Sequence, residues 1–231
     1  VVLYFEQVLL FGDCMKKVYV IGSLNMDLCI SAPYCPKGGE TLSGSGFIAN
    51  EGGKGANQAA AAAKSGAEVY MCGCVGADPF GGRLVSALDD AGADTRYVRR
   101  AEGVSTGIAV IIVTGGENRI ILDKGANAAL CEEDIDRALE NAGAGDVFLT
   151  QSENPVKIVG YALKRAKEKG LLTIFNPAPA DPAAAEYFRF ADIVVPNESE
   201  SEIFGGKEKM CSAGANIVLP TLGSRGDEIA S

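Results

Sequence analysis

The residues best suited to chemistry stand in one stretch, Gly52-Gly53-Lys54-Gly55-Ala56-Asn57-Gln58, which runs straight into Ala59 to Ala63, Lys64, Ser65 and Gly66. Glycine has no Cβ, so a backbone built from it can come close to a small ligand. The alanines favour a helix, and Gly66 is placed to end it. A glycine turn that opens a helix leaves backbone N–H groups for a ligand. Asn57 falls in the first turn, where its amide can both donate and accept. A tight turn before a buried Ala-rich helix explains the same letters, and both readings stand. Upstream, Asn25 and Asp27 follow the apolar run Val18 to Leu24. Ligands of open α/β sheets bind at such carboxyl ends of strands, although Asn and Asp also favour a plain turn.

Several other chemistries are excluded. A Walker A loop needs G-x-x-x-x-G-K followed by Ser or Thr. Here Ile48 holds the first Gly position and Gly55 follows Lys54. Gly44 to Ala49 spells G-x-G-x-x-A, but polar Glu40-Thr41 precedes it and no helix opens there, so it reads as a chance match. The chain has no His, which removes Ser-His-Asp and Cys-His catalysis and every His-ligated metal site. Proton transfer is left to Asp, Glu, Lys, Tyr or Cys. The seven cysteines include no C-x-x-C. Cys72 and Cys74 alternate on one face of an expected strand and read as core. Such a cysteine pattern suits a reduced, cytoplasmic protein.

The elements that must hold these residues follow from the pattern. The 231 residues, 47% hydrophobic, suffice for one or two domains with a sizeable core. A net charge of −9 argues against a nucleic-acid partner, and no apolar run is long enough to span a membrane. Residues 1 to 14 are apolar but lack a basic start, so they do not resemble a signal peptide. Met15 is expected to be the natural start and residues 1–14 extraneous. From Val18 onward strands and helices alternate, which argues for a parallel sheet with helices on both faces. Two stretches break the rhythm. Residues 28–50 are rich in Gly, Pro and Ser, and residues 105–124 form two β-rich runs joined by Gly115-Gly116-Glu117, a hairpin signature. Together they are expected to form a separate small sheet, a lid, over a core made of 15–27, 51–104 and 125–231.

Several motifs now match one family in order: G-S-L-N-M-D (22–27), P-K-G-G-E-T (36–41), G-G-K-G-A-N-Q (52–58), C-V-G-A-D-P-F-G (74–81), S-T-G-I-A-V (105–110), G-A-N-A-A-L (125–130), N-P-A-P-A (176–180), P-N-E-S-E (196–200) and T-L-G-S-R-G (221–226). On these the chain resembles the ribokinase/phosphofructokinase-B family of sugar kinases, and its ribokinase branch more than fructokinases or nucleoside kinases. The resemblance implies a three-layer αβα, Rossmann-like parallel sheet with a β-sheet lid, and ATP-dependent phosphorylation of a sugar, D-ribose at its 5-hydroxyl. It places the sugar at Asn25, Met26, Asp27, Gly53, Lys54, Gly55, Ala56, Asn57 and Glu153. Carboxylates and amides are suited to this, because sugar hydroxyls both donate and accept. It places nucleotide at Asn197, Thr221, Leu222, Gly223, Ser224, Arg225 and Gly226, and Mg2+ near Asn197 and Glu200. Asn197 is equally suited to cap a helix. The resemblance also implies K+ in a complete family member. The lid's apolar face needs a partner, and a second lid is expected to supply it, giving a homodimer.

The family's D-T-x-G-A-G-D motif, which carries its catalytic Asp, has no counterpart here. Gly143-Ala144-Gly145-Asp146 is similar but lacks the preceding Asp-Thr and feeds a strand. The motif is expected beyond Ser231, so that these residues would be a C-terminally incomplete kinase with little or no activity of its own. Glu51 stands where the family is usually neutral, Pro220 abuts a strand, and only Gly205 to Ala215 occupy a place where the family has a full helix. A catalytically silent sugar-binding or subunit-interaction protein, or another pentose, hexose or nucleoside kinase, are the alternatives.

Overall fold

The computed structural model describes residues 16–222. Its organising strand is β1 (Lys17–Ile21), an apolar run that is buried on both faces. Side chains alternate across a strand, so Val18 and Val20 enter one core while Tyr19 and Ile21 enter another. The first core is closed by α1 (Lys54–Lys64) and α2 (Pro79–Asp90), through Ala59, Ala62, Leu84 and Leu88. The second is closed by α3 (Glu132–Leu139) and α4 (Val156–Glu168), through Ile135, Leu139 and Leu163. Cys72 and Cys74 are buried, as expected of core residues.

The remaining strands of this sheet are β4 (Glu68–Gly76), β5 (Asp94–Ala101), β8 (Val147–Gln151), β9 (Leu172–Asn176), β10 (Ile193–Val194) and β11 (Ile217–Val218). Every pairing is parallel, and the order is β11-β10-β9-β8-β1-β4-β5. The chain therefore winds one way from β1 through β4 to β5 and the other way from β8 to β11. The crevice at the carboxyl ends of β1 and β8 is the point of reversal, where ligands of such sheets bind.

The four remaining strands form the separate sheet. β2 (Asn25–Ser31) and β3 (Ser45–Gly52) are antiparallel, β2 runs parallel to β6 (Gly107–Thr114), and β6 forms a hairpin with β7 (Glu117–Asp123). Gly115 and Gly116 make the hairpin turn with φ of 58° and 85°, which favours glycine at both positions. The lid sheet begins at Asn25 rather than at 28, so Asn25, Met26 and Asp27 stand on its first strand and not on the end of β1.

The C-terminal part is more regular than expected. Between α5 (Glu198–Ile203) and β11 a short helix, α6 (Lys207–Ser212), seats Met210 in the core beside Ala215 and Val218. Among the described residues Pro220 follows the edge strand of the sheet, where no further ladder bond is asked of it. The segment at 182–190 is a 3-10 helix that buries Ala184 and Phe188. Gly143 to Asp146 form the turn into β8, with the Asp146 carboxylate accepting from the N–H groups of Gly143 and Lys17. That turn lies at the amino end of the sheet, opposite the crevice. Gly44 to Ala49 lead into and along β3, which runs on to Gly52, so no helix opens at this stretch. Among the described residues no helix is long and apolar enough to cross a membrane.

Candidate sugar and nucleotide site

The glycine turn does something other than present bare N–H groups. Gly53 has φ +94°, and a Cβ there would lie 2.7–2.9 Å from backbone atoms of Ser23, Leu24 and Asn25. A Cβ on Gly55 would lie 2.5 Å from the Ser23 nitrogen. Glycine is thus needed for the start of α1 to lie flat against the segment that leaves β1. The first N–H groups of α1 are then taken by the protein itself. Lys54 N–H donates to Glu153 Oε2 at 3.0 Å, Gly55 N–H to Ser23 Oγ at 3.3 Å, and Ala56 N–H to the Ser23 carbonyl at 2.9 Å.

Glu153 follows β8 across the crevice, and its carboxylate receives that helix N-terminus. Ser23 Oγ–H donates to the same Oε2, as does Asn25 Nδ2 at 3.3 Å. A helix N-terminus stabilises negative charge, so α1 holds the Glu153 carboxylate through one oxygen. Asp27, on β2, faces it. Burial first, and then the charge of Glu153, hold the Asp27 carboxyl above its ordinary range. Gly52 gives Asp27 its room, since a Cβ there would sit 2.3 Å from Asp27 Oδ2. Two facing carboxylates supply acceptors, which suits a ligand rich in hydroxyl groups.

The other expected sugar residues divide by exposure. Lys54 is partly buried and Asn57 is exposed, at the turn and in the first turn of α1. Gly53, Gly55, Ala56 and Met26 are buried and can offer backbone only. Asn25 is 2% exposed, with its amide directed at protein groups. Ser23, Asn127 and Asn154, to which the sequence reading gave no role, form the buried polar support of this cluster. The first two lay inside the quoted motifs G-S-L-N-M-D and G-A-N-A-A-L.

On the nucleotide side, Asn197 caps α5. Its Oδ1 accepts from Glu200 N–H and Glu200 Oε2 accepts from Asn197 N–H, each at 2.8 Å. Thr221 is brought beside Asn197 by a parallel bridge and donates its N–H to the Pro196 carbonyl at 2.8 Å. Leu222 follows it, while Gly223, Ser224, Arg225 and Gly226 lie outside the described residues, as do residues 1–14. Because the sheet is parallel, Asn197 and Thr221 share the edge that carries Glu153. Two strand spacings separate β8 from β10, roughly 10 Å. Among the described residues no group of three or more acidic or Cys side chains is placed to hold a metal ion.

Comparison with known proteins places the chain in a family. The family model described as pfkB family carbohydrate kinase matches residues 15–227. The ribokinase of Haemophilus influenzae is 38% identical over 224 residues, a match that covers 91% of this chain and 73% of that protein. A deoxyribokinase of Salmonella typhi is 36% identical over 223 residues, covering 90% and 73%. The structure of Arabidopsis thaliana ribokinase complexed with ribose and ATP superposes with a TM-score of 0.81 at 32% identity, covering 94% of this chain and 75% of that one.

Proposed function

Because the chain belongs to the pfkB family of carbohydrate kinases, we propose that it serves the transfer of the ATP γ-phosphate to the 5-hydroxyl of D-ribose. It is a ribokinase-type sugar kinase, and so a phosphotransferase that takes a sugar and ATP. The observation that carries the finer reading is the meeting of Asp27 and Glu153 at the glycine turn. Glu153 Oε2 is committed to protein donors, which leaves Oε1 and the Asp27 carboxylate to accept from sugar hydroxyls. Lys54 and Asn57 stand beside them as donors.

Asn197 and Thr221, with the 222–226 stretch, are proposed to line the nucleotide. Mg2+ prefers oxygen ligands and keeps several waters. Glu200 has one carboxylate oxygen outside its capping box, so it is suited to hold the ion through water rather than in a cage of protein groups. K+ is proposed only by kinship, and no described residue is assigned to it. The core and lid division drawn from the sequence supports a site that closes between them. Exposed Phe47, Ile48, Ile120 and Ile121 on the lid's outer strands support a homodimer formed through the lids. Consecutive strand residues point to opposite faces, so one lid face is left for the site and the other for a second lid.

Calorimetry comparing D-ribose with 2-deoxy-D-ribose tests the substrate. Binding of ribose at least tenfold tighter is expected, and a preference for the deoxy sugar would reassign it. For a polypeptide of these 231 residues, which contain no D-T-x-G-A-G-D segment, a second reading is proposed, sugar binding without efficient turnover. A general base contributes roughly 10²–10⁴ in rate, so a polypeptide of these residues alone is expected to phosphorylate ribose slowly. A coupled ADP-release assay with ribose, ATP and Mg2+ decides. Turnover at ~1–100 s⁻¹, the ordinary kinase range, would place the base among the residues present.

A further inference from the structure

Beneath the Glu153 carboxylate lies a column of buried amides whose polarity the backbone fixes. Asn127, in the 3-10 helix Gly125–Ala129 that follows the lid, is 1% exposed. Its Oδ1 accepts from Leu24 N–H at 2.9 Å and its Nδ2 donates to the Leu24 carbonyl at 3.0 Å. A backbone N–H can only donate and a carbonyl can only accept, so the Asn127 amide has one possible orientation. Its Nδ2 also donates to Asn25 Oδ1 at 2.8 Å. That consumes the acceptor end of Asn25 and turns its NH2 toward Glu153. The backbone carbonyl of Asn127 is held in turn by Asn154 Nδ2 at 3.1 Å.

The lid is shaped around this pair. Gly107, opposite Asn25 at the start of β6, has no side chain where one would fall inside the hydrogen bond. A Cβ there would be 2.3 Å from both Asn127 Nδ2 and Asn25 Oδ1.

We infer that Asn127 is a positioning residue for the sugar site, acting through Asn25. It holds the Asn25 amide with its donors toward Glu153, so that the carboxylate is fixed through Oε2 and its other oxygen is left to accept from the sugar. With the amide reversed, Asn25 Oδ1 would face Glu153 Oε2, two acceptors with no hydrogen between them. The inference rests on the proposed sugar site.

The test is calorimetry with D-ribose on the 231-residue chain and its N127A, N25A, N25A/N127A and E153Q variants, with melting curves for each. N127A is expected to weaken ribose binding about 3- to 10-fold, the range of one neutral hydrogen bond. N25A/N127A is expected to bind like N25A, because the route to the sugar is already cut. The melting temperature should still fall further in the double variant, which separates positioning from simple core support. Losses of affinity that multiply in the double variant would overturn the inference, as would full affinity in N127A. Unchanged binding in E153Q would instead remove the sugar site itself, a separate failure. If N127A melts too low to assay, a neutron structure of the unmodified chain with ribose decides. Deuterium on Asn127 Nδ2 toward Asn25 Oδ1 supports the inference, and the opposite amide orientation overturns it.

Discussion

Replacing Asp27 with Asn should move stability and affinity in opposite directions. In the unliganded chain Asp27 is partly buried beside the Glu153 carboxylate, and both effects hold its carboxyl above the ordinary range. A carboxyl whose folded value exceeds the unfolded value of about 3.9 binds its proton more tightly when folded. Stability then falls as pH rises from the unfolded value through the folded one, and the loss persists at neutral pH. D27N removes that loss, so its melting temperature at pH 7 should equal or exceed that of the unmodified chain. The difference should shrink as pH falls through the folded value and vanish only below about 3.9, where Asp27 becomes protonated in both states. Ribose binding should suffer. A hydrogen bond to a charged group contributes roughly 1.5–3 kcal/mol, so the dissociation constant should rise about 10- to 150-fold. Scanning fluorimetry across pH gives the first quantity and calorimetry the second. Unchanged affinity would take Asp27 out of the site. A lower melting temperature at pH 7 would show that the two carboxylates are not in conflict and refute the electrostatic reasoning.

Three further outcomes are expected. Gly53→Ala meets both a positive φ and backbone atoms under 3 Å away; strain of roughly 1–3 kcal/mol and overpacking of similar size should lower the melting temperature by several degrees and displace Lys54 N–H from Glu153, seen as weaker ribose binding. Asp134→Asn breaks the paired contacts of Arg99 with a buried carboxylate at 2.9 Å; the loss should be about 3 kcal/mol in urea unfolding, and since Arg99 and Cys131 hold the Asp134 carboxyl below its ordinary range against its burial, the stability it contributes above its unfolded value should fade in acid as pH drops through the folded one. Glu51→Gln loosens an exposed pair between the lid and Arg83 on α2; such pairs contribute at most about 1 kcal/mol, so a melting temperature that drops by more than a few degrees would mean that this contact holds the lid in place.

Much of this protein is legible in its sequence because the signals are local and redundant. The apolar run at Val18 to Ile21, the alanines of α1 and the alternation of strands and helices each specify an element, and together they specify a parallel sheet. Gly115-Gly116 between two β-rich runs specifies a hairpin, and the broken rhythm on either side sets it apart from the main sheet. Ordered motifs supplied the family. What the letters could not show is where the turn's N–H groups go. Free N–H groups at the start of α1 were a local expectation; the fold brings Glu153 and Ser23 to them, across 99 residues in the first case, and gives them partners. Asn25 read as the end of a core strand, yet pairing with β3 and β6 makes it the first residue of the lid. Asn127 lay inside a quoted motif but had no role there, because the amide of an Asn gains a direction only from the groups it meets, and these lie 102 and 103 residues away. Sequence determines which residues can donate and accept; only the packing of distant segments at the reversal of the sheet decides which of those groups are spent on the protein and which are left for a ligand.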